Sequence, residues 1–202
     1  MRHSVCVLLV PVLCSATLAA EPASGLRASV VSAARMSASV ATSPGQWTWA
    51  GGPDRIAEYE RLGTYGTKGL AAPENVPGAR RGAATWVDAS GNFWLFGGSG
   101  FVRFAREGVL NDLWKWDGTN WTWVSGSNAY ARVGIYGTKG VAAPENVPGA
   151  RYGAATWVDS SGNLWLFGGE GRGSVASFDV PLSDLWKWDG TNWTWVSGPN
   201  VG

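Results

Sequence analysis

Beyond Cys14 the 202-residue sequence contains no cysteine, and beyond His3 it contains no histidine. Every residue of these two types lies in the first twenty positions, "MRHSVCVLLVPVLCSATLAA". That stretch has the layout of a secretory signal. Arg2 supplies the positive end, Val5–Leu13 the apolar run, and Ala16–Ala20 the small residues for cleavage near Ala19 or Ala20. The run is short of the roughly 20 apolar residues of a membrane helix, and Pro11 and Ser15 interrupt it. Leu13 stands before Cys14 where a lipoprotein signal has a small residue. Cleavage is the expectation, with a retained anchor as the alternative. The mature chain is then secreted, periplasmic or held at the cell surface, with no membrane role beyond export.

Loss of the leader removes all thiols and imidazoles together. Disulfides, thiolate nucleophiles, zinc sites of the Cys/His type and His-based catalytic arrangements are thereby excluded. No cofactor is expected, and an exported chain without disulfides depends on packing for its stability. Charge is sparse and balanced: a net charge of +1, with Lys scarce, gives no basic field for nucleic acid and no acidic tail. What the sequence has instead is 29 glycines and 14 tryptophans, a composition that favours a turn-rich, aromatic-packed β protein.

Residues 21–46 are rich in Ala and Ser, contain no aromatic side chain and read as a linker. Beyond them the chain repeats itself. "YGTKGLAAPENVPGARRGAATWVDASGNFWLFGG" (Tyr65–Gly98) aligns with "YGTKGVAAPENVPGARYGAATWVDSSGNLWLFGG" (Tyr136–Gly169) at an offset of 71 residues. Only Leu70/Val141, Arg81/Tyr152, Ala89/Ser160 and Phe93/Leu164 differ. "LWKWDGTNWTWVSG" occurs identically at Leu113–Gly126 and Leu185–Gly198, and a fragment of it, "WTWAGG", at Trp47–Gly52.

Each unit carries four strand signals. Strand A is Gly82–Asp88. The turn "ASGN" leads to strand B, Phe93–Gly98, a continuous apolar run expected to be buried on both faces. Strand C is Asp112–Trp116 and strand D is Trp121–Val124, joined by the turn "DGTN" as a hairpin. Alternation puts Trp114 and Trp116 on one face of C, and Trp121 and Trp123 on one face of D. Exact recurrence at hairpin spacing assigns these rings to packing rather than to a sugar-stacking platform.

This pattern resembles the Kelch repeat, whose marks are a glycine pair ending the second strand and spaced aromatics in the third and fourth. Here they are Gly97/Gly98 with Trp114 and Trp121, and Gly168/Gly169 with Trp186 and Trp193. The likeness is greatest to the long, tryptophan-rich bacterial Kelch repeats labelled galactose-oxidase-like. It implies an all-β fold of Kelch-type β-propeller blades, each a four-stranded antiparallel meander. There would be two full blades plus one extra strand, an incomplete propeller. The layout is 1–20 signal peptide, 21–46 linker, 47–78 orphan fourth strand and connecting segment, and 79–125 blade 1. An inter-blade connection (126–149), blade 2 (150–197) and a tail (198–202) follow. A closed ring has about four to eight blades. The chain is therefore expected to be part of a longer product, to self-associate to complete the ring, or to survive as an open pair of blades. The copper-radical chemistry that the galactose oxidase label implies needs imidazole ligands and a Cys–Tyr cross-link, and the mature chain has neither.

In a meander of this order the A–B and C–D turns share one edge, and the B–C and D–A connections share the other. The B–C segments are unlike each other: Ser99–Asn111 against Glu170–Ser183. Variable loops on a constant scaffold are where binding usually resides. The candidate ligand-binding residues are Arg103, Phe104, Arg106, Glu107, Glu170, Arg172, Phe178 and Asp179, because Arg forks and carboxylates recognise carboxylates and sugar hydroxyls. The recurring Asp88/Asp159, Asp112/Asp184 and Asp117/Asp189 are read as turn-capping residues. "VPGA" is read as a type II turn with Gly78 or Gly149 at its third position, and Arg80 and Arg151 as partners of Glu74 and Glu145 in bonding between blades. The functional expectation is a non-enzymatic exported module that binds a protein or a glycan. A carbohydrate-active enzyme or its accessory domain, and a truncated remnant, are the alternatives.

Overall fold

The computed structural model of the protein describes residues 48–49, 62–102, 106–175 and 178–201, except for the side chains of Val102 and Arg106. The expected signal segment, the linker and Trp47 lie outside the described residues. Trp49 is 62% exposed and belongs to no strand. Apart from Thr48, the described residues belong to a single unit, 49–202.

The fold is all-β and antiparallel, and it is not closed. Sheet I contains β1 (Arg80–Arg81), β2 (Ala84–Val87), β3 (Phe93–Val102), β4 (Arg106–Trp116) and β5 (Trp121–Ser125). β1 and β2 both pair with β3, which pairs with β4, which pairs with β5. Sheet II repeats the plan with β7 (Arg151–Tyr152), β8 (Ala155–Val158), β9 (Leu164–Gly171), β10 (Val180–Trp188) and β11 (Trp193–Ser197), and adds β6 (Ala142–Ala143) on the outer edge of β11. Among the described residues no helix is long and apolar enough to cross a membrane.

The strand order A–B–C–D is the one expected, but the B–C segments are strand-paired at both ends, and in sheet II residues 172–175 and 178–179 stay outside any strand. The β3–β4 pairing continues past the glycine pair, with Ser99 opposite Val109 and Val102 opposite Arg106. In sheet II, Glu170 and Gly171 pair with Pro181 and Val180. The connections are therefore hairpin ribbons that prolong the sheets. Alternation does not show this, because Gly100 stands opposite Gly108 and the buried Val109 and Leu110 are consecutive. The glycine pair marks the irregularity between the two halves of β3: Gly97 and Gly98 take φ of 63° and 96°, and the register shifts between Phe96 and Gly98.

The segment before each sheet bonds along strand D of that sheet. Thr64 bridges Val76, and Gly69 N donates to the Trp123 carbonyl at 2.8 Å. Asn75 Nδ2 donates to the Leu70 and Trp121 carbonyls at 2.8 and 2.9 Å. Asn146 does the same for Val141 and Trp193. "YGTKGxAAPENVPG" is thus a strap over strand D, satisfying backbone groups at an edge that would otherwise be free to pair. The type II turn is corrected: neither Gly78 nor Gly149 has positive φ, which that turn requires. Glycine is needed at 149 because a Cβ there would stand 1.7 Å from the Arg172 carbonyl oxygen.

Register decides which rings meet. Phe93, Leu95, Trp114, Trp116 and Trp121 share one face of sheet I, whereas Ala84, Trp86, Trp94, Phe96 and Leu113 share the other. The second of these faces lies on sheet II, against Leu164, Leu166, Trp186, Trp188 and Trp193, and the two sets form the core. Trp94 meets Trp188 at 6.4 Å between ring centroids, and Phe96 meets Trp193 edge-on at 5.5 Å. Burying a side chain of this size contributes about 1.5–3 kcal/mol. Polar bonds fix the offset of the sheets: Trp86 Nε1 donates to the Trp165 carbonyl at 2.9 Å, and Gly153 N to the Gly82 carbonyl at 2.8 Å. Strand B is therefore covered on one face per sheet, not two. Phe167 of β9 is exposed where its counterpart Phe96 is fully buried.

Candidate functional site: the ribbon edge

Two sets of polar residues need separate treatment, one buried and one at the surface. In the buried set, Arg80 forks onto Asp112, Nη1 to Oδ1 at 2.7 Å and Nη2 to Oδ2 at 2.9 Å, and donates to the Gly78 and Gly97 carbonyls. Tyr65 Oη and Trp114 Nε1 also donate to Asp112 Oδ2. Sheet II reproduces the arrangement with Arg151, Asp184, Tyr136, Trp186 and the Gly149 and Gly168 carbonyls. This corrects two expectations. Asp112 and Asp184 are not turn caps, and the arginines do not pair with Glu74 and Glu145, which are exposed. A guanidinium taken out of water needs a carboxylate that is also out of water, and strand C supplies one directly across β3. Burial pushes the Tyr65 and Tyr136 phenols well above their ordinary range, reinforced by the neighbouring Asp112 and Asp184 charges. This set lies within the sheets and is structural.

The turn aspartates behave as expected. Asp88 Oδ1 accepts from Ser90 N and Asn92 N, and Asp117 Oδ1 from Thr119 N and Asn120 N. Asp159 is pushed down to about 2 by hydrogen bonds from Asn163, Trp165 and the local backbone.

The surface set lies at the ribbon edge. β1 and β7 pair beside the ribbons, placing Arg81 opposite Ser99 and Tyr152 opposite Glu170. Glu107 forms an ion pair with Arg81 and accepts from Ser99 Oγ at 3.1 Å. Tyr152 donates to Glu170, which raises its phenol above the ordinary value. Asp179 adds to that shift and Arg81 opposes it, so the charges of both sheets act on this hydroxyl. Arg172 Nε donates to Asp179 Oδ1 at 3.0 Å. Beside these groups Phe178 is strongly exposed. A shallow cleft of about 140 Å³ is lined by Ala79, Arg80, Arg81, Ser99, Phe101 and Glu107.

Of the eight expected ligand-binding residues, Glu107, Glu170, Arg172 and Asp179 fall in this strip, with Phe178 beside it. Arg103 and Phe104 lie outside the described residues, and Arg106 is placed only as the residue that opens β4. Sequence reasoning missed Arg81 and Tyr152. The signal was present, since they occupy one of the four positions at which the long aligned segments differ. Among the described residues no cluster of three or more His, Cys, Asp or Glu is arranged to hold a metal ion.

Fold and site together define a class: an all-β protein of two face-packed antiparallel meanders with a polar, sequence-variable ribbon edge. No family model and no curated protein matches the chain.

Proposed function

We propose that sheets I and II are two consecutive blades of a Kelch-type β-propeller, and that the protein is an exported module that binds a protein or a glycan at its ribbon edge. The observation that carries this reading is a contrast. Two nearly identical sheets bear unlike ribbons, Ser99–Asn111 and Glu170–Ser183, that bring Arg81, Glu107, Tyr152, Glu170, Arg172 and Asp179 to one edge. Guanidinium forks, carboxylates and a phenol beside an exposed ring suit hydroxyl- and carboxylate-bearing ligands. The meander order, the glycine pair and the tryptophan hairpins support the blade reading, and the leader-like first twenty residues support export. Each carboxylate of the strip is held by a neighbouring donor, a setting for recognition rather than for acid–base work, which needs a carboxyl group poised between two states.

The test is an array of neutral and uronic-acid-containing oligosaccharides, together with a panel of purified extracellular proteins. Both are probed with the full chain and with its Arg81→Ala/Tyr152→Ala variant. We expect a wild-type signal that falls at least tenfold in the variant at unchanged circular dichroism, in line with hot-spot losses at Arg and Tyr anchors. A wild-type signal that the variant retains would place binding elsewhere and overturn the site assignment.

A further inference from the structure

The two sheets expose complementary faces. Ala84, Trp86, Trp94, Phe96 and Leu113 are the residues with which sheet I covers sheet II, and all five are buried. Their counterparts in sheet II are Ala155, Trp157, Trp165, Phe167 and Leu185, identical at every position. Nothing in the described residues covers that face: Trp157 and Phe167 are each 44% exposed, against 4% for Trp86 and 0% for Phe96. Trp86 sends its indole N–H across to the next sheet, whereas Trp157 lies flat on Trp165 with an interplanar angle of 8°.

At the other end the roles reverse. The covered face of sheet II comprises Tyr136, Leu164, Leu166, Trp186, Trp188 and Trp193, all buried. The same positions in sheet I hold Tyr65, Phe93, Leu95, Trp114, Trp116 and Trp121, with Phe93 for Leu164 as the single change. Of these only Trp114 is buried. The backbone is prepared as well. A Cβ on Gly97 would stand 2.6 Å from the Arg151 carbonyl of sheet II, while the corresponding Gly168 meets only Leu182 of its own strand pair.

We infer that the occupant of the sheet II face is sheet I of a second copy of this chain, docked head-to-tail through the contact already made between the two sheets. The proposed contact continues one that the chain already makes between its own sheets. The same residues at the same register form a well-packed contact once within the chain, and both halves of that contact stand open at its two ends. Trp157 Nε1 then donates to the Trp94 carbonyl of the second copy, as Trp86 does to Trp165. Such a contact is heterologous, so it propagates until rotation closes it. With the two sheets of the described residues counted from each chain, a ring of about four to eight blades holds two to four copies. The inference uses the blade reading only for that copy number and is independent of any ligand at the ribbon edge.

Sedimentation velocity of the full chain over a hundredfold concentration range tests it, with two charge insertions, Phe167→Asp on the sheet II face and Trp116→Asp on the sheet I face, whose counterpart Trp188 is buried against Trp94. Neither side chain is buried in the single chain, and unchanged circular dichroism checks that each variant folds. The expected result is a discrete wild-type species of two to four copies, with each variant alone monomeric. An equimolar mixture of the variants should give a dimer, because each retains the half that the other lacks. A monomeric wild-type chain would overturn the inference, since its open face is then left bare or covered by another part of the same chain. A dimer abolished by Phe167→Asp but untouched by Trp116→Asp would also overturn it, because that pattern belongs to a symmetric face-to-face contact.

Discussion

Arg151 and Asp184 form a two-pronged ion pair with Nη1–Oδ1 and Nη2–Oδ2 distances of 2.6 and 2.8 Å, and both side chains are almost fully buried. The pair ties β7 to β10 across β9. Because Tyr136 of the strap and Trp186 of β10 donate to the same carboxylate, the strap, β7 and β10 all depend on it. Sheet I holds an equivalent pair in Arg80 and Asp112.

Removing one partner leaves the other charge buried and alone. Arg151→Met is therefore expected to destabilise the chain by about 3–5 kcal/mol, read as a lower urea midpoint at unchanged slope. Arg151→Met/Asp184→Leu is expected to lose less than the sum of its single variants, because each single change breaks the same network. It should still not regain wild-type stability, since the Tyr136 hydroxyl and the Trp186 N–H are left without an acceptor. Simple additivity would show that the two residues act separately.

Stability should fall at both ends of the pH scale. Burial alone would raise the Asp184 carboxyl, but Arg151, Tyr136 and Trp186 outweigh it and hold it below the ordinary value of 3.8. The stability this gives is complete above that value and is lost as pH falls through the lower native one. The Tyr65 and Tyr136 phenols are raised above 10.0 by burial first and by their carboxylate neighbours second. Their contribution is complete below pH 10.0 and declines above it, where the unfolded chain ionises first. Melting temperatures across this range should show both limbs, and Tyr136→Phe should flatten the alkaline one. An alkaline limb unchanged in Tyr136→Phe would refute the assignment to that phenol.

Two glycines with the same backbone angle should respond differently. Gly97 and Gly168 have φ of 63° and 64°, so alanine brings a similar backbone penalty of roughly 1–2 kcal/mol at either site. Only at Gly97 does the new methyl also run into the next sheet, at the Arg151 carbonyl. In the dissociated chain Gly97→Ala is expected to be the more destabilising by about 1 kcal/mol or more, the usual range for overpacking. Equal losses by chemical denaturation would mean that the sheets are not held as closely as the contact requires.

Much of this architecture was legible in the sequence because strand alternation and turn chemistry are local. "ATWV", "FWLF" and "LWKWDGTNWTWV" specify strands and hairpins through period-2 patterning and Asp-bearing turns, and the repeat offset shows that whatever forms once forms twice. The buried Arg–Asp pairs were not legible. Arg80 and Asp112 are 32 residues apart, and a repeated charge at a strand end looks the same whether it caps a turn or meets a partner across the sheet. The ribbons were read as loops because Gly100 opposite Gly108 and the consecutive buried Val109 and Leu110 give no period-2 pattern.

The sequence by itself determined the all-β class, the repeat unit and the meander order, since each follows from short-range pattern. Only the tertiary structure decided which tryptophans are core. Trp86 and Trp157 have identical neighbours on both sides, "ATWVD" in each case, yet one is buried and the other open. The difference is the presence of a following sheet, and burial depends on what lies on top of a face, which no local sequence records.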